Sequence, residues 1–567
     1  MPLPNVVPPT LAVAGTWFAV AALLAGCGAL ARRGLLAVAA VSASDGLRRS
    51  DLWIGLAVVT AFLQLWSLLA GISWAAWLPP AVGGLIGLVL GARALGSGFR
   101  LPERRLLAVL IPAGVGVLWL ANRALDAPSG YDLGLYHAAA IEYASRYAVI
   151  PGLGNLQDRL AAGDAHFLVT ALLGRLPGAG SGLRLANGLL VAMLFADVAS
   201  RFVGGARRQA CSLASRMALV AVPATIVTAA LDPSRLSEPD LDLAAFVLVV
   251  VGGLYLVESL EAGFEPTAAA TSIAAFALAA VNRPLFWLMT VLALAVLAAR
   301  ARRRLRELLA VVIAPAALAL GWTARQAILS GYPFFPLTFV RLPVDWRMPA
   351  SNVAELERWT RSWARSSGRS PDHVLGSWAW LGPWLRDELT NFDVLPPLLL
   401  LGAAVLALLL RRSSVRPAPV PLLAIVVPCL VTLVAWFLVA PDPRFALGPL
   451  WLIPIALAGW ALPEHGPAAF GPRELLASTA VIVALGVGVV HVAAKEMFVP
   501  IHARAESSTV PPVQPFRTAS GLVLLQPLGS DQCWSVALCT PAPSAALRLR
   551  GTTIQSGFSR IPRTASG

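Results

Sequence analysis

Apolar positions along this chain are not alternating or periodic but run together. "LWIGLAVVTAFLQLWSLLAG" (52–71) and "LLAIVVPCLVTLVAWFLVA" (422–440) are two such runs. Roughly 20 residues of this kind let a helix cross the hydrocarbon core of a bilayer. Comparable stretches recur near 11–30, 52–72, 76–95, 106–122, 182–202, 213–230, 240–258, 267–281, 284–299, 307–329, 393–410, 418–440, 444–461 and 473–494. The pattern predicts an all-α polytopic membrane protein with about 14 transmembrane helices. The first run has no basic leader and no convincing cleavage site, so it reads as a retained span.

Polar stretches divide these helices into six segments. Residues 1–122, 182–329 and 393–495 carry the spans; 123–181 and 330–392 are large loops; 496–567 is a polar tail. In the first loop, Leu133, Tyr136, Ala140, Tyr143 and Tyr147 recur at helical spacing, which predicts an amphipathic helix lying on the membrane surface. Glu142 and Arg146 would form an i,i+4 ion pair on it. "FLVTALLG" (167–174) is too short to cross and is assigned as a re-entrant or surface-lying helix. In the tail, "GLVLLQP" and "AALRLRG" sit between Pro and Gly and predict a small strand-containing appendage.

Composition agrees with the pattern: 57% of residues are hydrophobic and only 13% charged, against about a quarter charged in soluble domains. The net charge of +14 does not indicate nucleic acid, because the arginines fall in short clusters between spans. Arg32/Arg33, Arg100 to Arg105, Arg207/Arg208, "RARRRLRE" from Arg300 and Arg411/Arg412 all lie on one side if the spans alternate. Positive residues mark the cytoplasmic side, so both large loops and the tail are expected on the extracytoplasmic face. Of the five cysteines, Cys533 and Cys539 in "DQCWSVALCTP" suit a disulfide in an oxidising compartment.

The extracytoplasmic segments also hold the candidate chemistry. "SGYDLGLYH" places Asp132 at the boundary between the fourth span and the surface helix, either as an N-cap or as a proton acceptor beside His137. The turn "PGLGNLQDR" would expose backbone amides and bring Asn155, Asp158 and Arg159 near that helix, and "GDAHF" adds Asp164 and His166. "SEPDLDLAAF" sets Asp240 and Asp242 at a span junction, where an acid at membrane depth is a functional candidate. Arg283 in "VNRP" and Arg444 in "DPRF" read as interfacial anchors or as phosphate clamps, for which a planar guanidinium is well shaped. Trp346, Trp359, Trp363, Trp378 and Trp380 read as an interfacial belt or as sugar-stacking platforms. The spacing of Asp132, His137, Asp158 and His166 matches no compact metal-ligand pattern, and a divalent cation (Mg or Mn) is left open.

"YDLGLYH", "PGLGNLQDR", "SEPDLDLAA", "DPRF" and the tail "DQCWSVALCTP…LRLRG…GFSR" resemble a group of bacterial polytopic proteins close to the GT-C superfamily of integral-membrane glycosyltransferases. That resemblance implies a plasma-membrane enzyme that takes a sugar from a polyprenyl-phosphate donor and passes it to a glycan, lipid or protein acceptor outside the cytoplasm. Asp132 matches the superfamily's early acid, the general base, with His137 or Asp158 orienting the acceptor. Arg444, Arg159 or Arg283 would hold the donor phosphate, and Tyr131, Tyr136, Asn155, His166, Asp240 and Asp242 would line the substrate site. Two departures stand out: the loop follows the fourth span instead of the first, and the usual paired acids are reduced to Asp132 beside Tyr131. The competing expectation is a transporter or flippase, although no internal repeat of the kind many transporters carry is visible. A non-catalytic assembly partner is the third.

Overall fold

The computed structural model describes residues 6–42, 46–92, 104–176, 182–205, 212–232, 234–410, 420–463, 486, 500–501 and 511–560. The expected span at 473–494 lies outside them apart from Gly486, as do Arg100 to Leu101, Arg207/Arg208 and Arg411/Arg412.

The helices are α1 (Val7–Val38), α2 (Ser50–Ser67), α3 (Leu78–Ala92), α4 (Arg104–Arg123), α5 (Ala138–Arg146), α6 (Ala165–Leu173), α7 (Gly182–Gly205), α8 (Leu213–Leu231), α9 (Ser234–Ser237), α10 (Leu241–Glu261), α11 (Pro266–Ala280), α12 (Trp287–Arg300), α13 (Leu305–Ser330), α14 (Ala350–Trp363), α15 (Pro371–Val374), α16 (Leu381–Glu388), α17 (Leu395–Leu410), α18 (Val420–Val439) and α19 (Leu447–Ala461). Among the described residues, nine helical segments are long and apolar enough to cross a membrane: α1, α2, Trp74–Ala92, α7, α8, α10, α13, α18 and Pro443–Ala461. Four shorter apolar helices fall at Val109–Arg123, Pro266–Ala280, Pro284–Arg300 and Leu395–Leu410.

The sequence of α10 is apolar on every side, and the fold uses it accordingly, burying each residue from Leu241 to Val257. It packs against α11, where the Ser272 hydroxyl donates to the Gly252 carbonyl at 2.8 Å, and against α8 and α19. The outer helices do the opposite. Leu430, Val434 and Leu438 on α18 and Leu85, Ile86 and Val89 on α3 are exposed, an apolar surface suited to lipid.

A small second core sits at one end of the bundle. The tail forms two antiparallel hairpins, β1 (Val513–Arg517) with β2 (Val523–Pro527) and β3 (Leu547–Leu549) with β4 (Phe558–Arg560), and Cys533 is bonded to Cys539. Leu524, Leu547 and Phe558 pack with Leu135, Tyr136, Tyr143, Ile150 and Leu153 of the first loop. This corrects the expected surface helix: its apolar stripe faces the strands, not lipid. The helix is also shorter, because residues 133–137 form a π-helical turn before α5 begins. Glu142 and Arg146 do pair. Of the two readings of the short α6, the surface-lying one is ruled out, since every residue from Ala165 to Leu173 is buried inside the protein.

Candidate functional site

The first loop, the start of α10, the α11–α12 turn and the α18–α19 turn meet at the end of the bundle that carries the strands. Asp132 lies here as the residue preceding the π-turn, and its carboxylate caps no helix. Instead the Arg444 guanidinium donates to its Oδ2 at 3.0 Å, across 312 positions of sequence. Arg444 is itself held by Asp442, whose Oδ2 accepts from Nε at 3.3 Å and whose Oδ1 accepts from the Arg444 amide at 3.1 Å. Aromatic rings fix its plane: the guanidinium sits 4.9 Å from the Trp363 centroid and 5.1 Å from that of Phe445. Arg283 lies 5.1 Å from the same Phe445 ring and donates to Asp242 at 2.8 Å. Two guanidiniums thus share one aromatic platform, each steadied by acids.

Electrostatics separate the carboxyls. Burial would raise Asp132, but Arg444, with help from Arg159 and Arg283, outweighs it and holds this carboxyl below its usual range. Asp442 goes the other way, pushed up to about 6 by burial although Arg444 opposes the shift. Glu238 is raised to about 8, chiefly by burial; its Oε2 accepts from the Gly130 amide at 2.9 Å. A Cβ at position 130 would meet the Glu238 carboxyl, which would have to move aside. Asp164 is raised to about 7, again by burial, against Arg283 and Arg325.

A cavity of about 310 Å³ adjoins this cluster. Its lining combines the polar Arg159, Asp164 and Arg283 with the apolar Phe335, Leu356 and Trp436. Tyr136 also lines it, and the Arg159 guanidinium lies 5.8 Å from the Tyr136 centroid. Asp132 and Arg444 stand beside the cavity and do not line it.

Not all of the expected residues gather here. Asp158 does not join the cluster: its carboxylate accepts from the Arg159 amide at 2.8 Å and acts electrostatically on Arg560 of β4. Asn155 is a strap, donating to the carbonyls of Trp346 at 2.7 Å and Phe558 at 3.4 Å. The expected amide-exposing turn is closed as well, since Gly152, with φ of +66°, is covered by Trp346 and Phe558. His166 is buried against Asn187 at 2.7 Å, and Asp240 caps α10 by accepting from the Leu243 amide at 2.6 Å. Both are explained by packing. His137 is buried between Tyr136 and Phe167, its ring centroid 4.4 Å and 4.8 Å from theirs. Burial drives it down to about 3, so it is neutral, and among the described residues neither ring nitrogen has a hydrogen-bond partner.

Tyr131 is exposed, with its hydroxyl on Asp531 of the tail. The Trp534 amide donates to the Gly134 carbonyl at 2.7 Å, so the disulfide loop lies directly over the Asp132 turn. Among the described residues no group of three or more His, Cys, Asp or Glu side chains is arranged to hold a metal ion. Asp442 and Asp242 are engaged by Arg444 and Arg283, and no step is assigned to a divalent cation.

Phe445 is the contributor that sequence patterning does not mark; Asp164 is noted beside His166 without a role, and Trp363 reads as a belt residue or stacking platform. "DPRF" contains Phe445 and "GDAHF" contains Asp164, but neither spacing distinguishes a site from an ordinary loop.

The chain belongs to the family described as a domain of unknown function (DUF8201), which matches residues 11–451. No curated protein matches it.

Proposed function

We propose that this protein is a membrane glycosyltransferase of GT-C type, which transfers a sugar from a polyprenyl-phosphate donor to a hydroxyl of a glycan, lipid or protein acceptor. The observation that carries the reading is the Asp132–Arg444 pair at 3.0 Å, next to a cavity lined by Arg159, Arg283 and Arg361 as well as by apolar side chains. A lipid phosphate has those two requirements. Asp132 is ionised and accepts the acceptor's proton, while Arg444 and Arg283, oriented on Phe445, stabilise the charge that develops on the departing phosphate.

At rest, Arg444 occupies the carboxylate that must act as base. A phosphate reaching Arg444 competes for the same guanidinium, so donor binding loosens Asp132 and raises its basicity. This couples arrival of the donor to activation of the base. In the same reading the chain spans a bacterial plasma membrane about 14 times, with the cavity and the strands outside the cytoplasm. The crowding of ionisable groups at one end of the bundle supports a transferase over a transporter, whose sites lie near the midplane.

The test is incubation of the purified full chain with a panel of polyprenyl-phosphate hexoses and pentoses, following release of the lipid phosphate. Release from at least one donor is expected; release from none across the panel and a range of acceptors would sink the reading.

A further inference from the structure

We propose that Asp164 is a second catalytic residue of this site, the proton donor to the departing phosphate, with Asp132 as its proton-accepting counterpart. The inference rests on the transferase reading above and deepens it.

Asp164 precedes α6, the position from which a carboxylate usually caps a helix, yet it makes no cap bond. It is 7% exposed and lines the 310 Å³ cavity. Among the described residues no ion pair reaches it, and the hydrogen bond it does accept comes from its own backbone amide. A buried carboxyl left this way carries a large desolvation penalty when ionised, and such groups favour the protonated form. The groups facing it come from four directions: Arg283 from the α11–α12 turn, Arg325 from α13, Asp242 from α10 and Tyr136 from the π-turn. Arg283 also acts on Asp132, and Tyr136 feels both acids, so Asp164 from within the cavity and Asp132 from beside it act on the same two groups. Arg325 is committed elsewhere, donating to the Ser67 hydroxyl at 2.7 Å.

Where two acids share a site and their surroundings push their proton affinities apart, the pair divides into acid and base. Here the ionised member is Asp132 and the protonated member is Asp164. In the transfer, the bond between the anomeric carbon and the phosphate oxygen breaks and leaves its electron pair on that oxygen. The bond from the acceptor oxygen to the anomeric carbon forms. Asp132 takes the acceptor's proton, and Asp164 gives its own to the phosphate oxygen. Solvent then restores both carboxyls. A protonated Asp164 also removes the repulsion that a carboxylate would exert on an incoming phosphate.

The experiment has two readouts on the full chain in lipid nanodiscs. The first is an infrared pH titration without substrate. The wild type is expected to show a protonated-carboxyl band that disappears as pH rises through about 7 and is missing from Asp164→Asn. Glu238 and Asp240 also titrate in the neutral range, so the assignment comes from the difference between variant and wild type. The second is kcat against pH with whichever polyprenyl-phosphate sugar the panel identifies. The wild type should lose activity above that pH, whereas Asp164→Asn should be about 100-fold slower with a flat alkaline limb. If Asp164→Asn does not fold, Asp164→Glu serves: its band and its alkaline limb should move together. An unchanged band in either variant, or full activity in Asp164→Asn, overturns the proposal and leaves the transferase reading standing. A correct band with no donor turned over by the wild type overturns the transferase reading, and the catalytic role with it.

Discussion

The helix α10 has charged clusters at both ends, and they are built differently. Near Glu258, Arg201 pairs with Asp197 at 2.9 Å and with Glu258 at 2.8 Å, Arg49 pairs with Glu258 as well, and the Trp53 indole donates to Asp197 at 2.8 Å. Arg32 and Asp51 form a further buried pair at 2.7 Å nearby in sequence. Every acid in this network has an opposite charge within reach. Near Asp240 the chain also has pairs, Arg235 with Asp393 at 2.9 Å and Arg283 with Asp242. Beside them, however, Asp164 and Glu238 are buried with no cation paired to them among the described residues. Burial without compensation costs stability, and a fold carries that cost where a ligand or a reaction uses the group. The paired end holds helices together; the underpaired end has capacity left for a substrate.

Exchanging residues at the two ends tests that contrast. Asp132→Asn should reduce turnover about 100- to 10,000-fold, the range general-base help supplies, with the thermal midpoint little changed; a variant of full activity would remove Asp132 from the chemistry. At the other end, Asp197→Ala leaves Arg201 buried beside Glu258 alone. It should cost roughly 3–5 kcal/mol of stability, measured by thermal or denaturant unfolding, while the folded fraction retains its kcat.

The pH dependence follows from the same carboxyls. Arg444 holds Asp132 below the usual carboxylate range, so its ionised form persists down through that range as pH falls. Asp164 is held up at about 7, so its working, protonated form is lost as pH rises through that value. A plateau of kcat in mildly acidic buffer with a tenfold drop per unit on the alkaline side is expected. Stability has the matching sign. The folded-state pKa values of Asp164 and Glu238 are raised, so their contribution is full below the unfolded value of about 4 and lost as pH passes through about 7 to 8. Glu238→Gln should flatten part of that decline. The smallest expected effect is Gly130→Ala. It displaces the Glu238 carboxyl from the Gly130 amide, costing about 1 kcal/mol and slowing turnover less than tenfold through the adjacent Asp132.

The helical architecture was legible because an apolar run of span length has few alternative fates. Asp132, Arg444 and Arg283 were legible as candidates too, since they lie at the span ends opposite the arginine clusters that mark the other face. Their pairing was not, because nothing local links position 132 to position 444. The apolar stripe of the first loop shows the limit most clearly. Tyr136 and Tyr143 have the right spacing for a surface helix, and periodicity cannot tell whether lipid or protein covers it. The partner strands lie about 380 positions downstream, with Leu538 donating its amide to the Tyr143 hydroxyl at 3.0 Å. His166 and Asn155 misled for a related reason: a polar side chain that straps two loops is, in sequence, indistinguishable from one that binds a ligand.

The strand appendage carries a consequence for biogenesis. Residues 511–560 leave the ribosome after every helix they rest on, yet they cover Leu135 and Tyr136 and hold Gly134 from above. Until they arrive, the turn bearing Asp132 has no roof. If the transferase reading holds, a nascent chain still threading its helices into the bilayer is expected to be catalytically silent until that clasp closes.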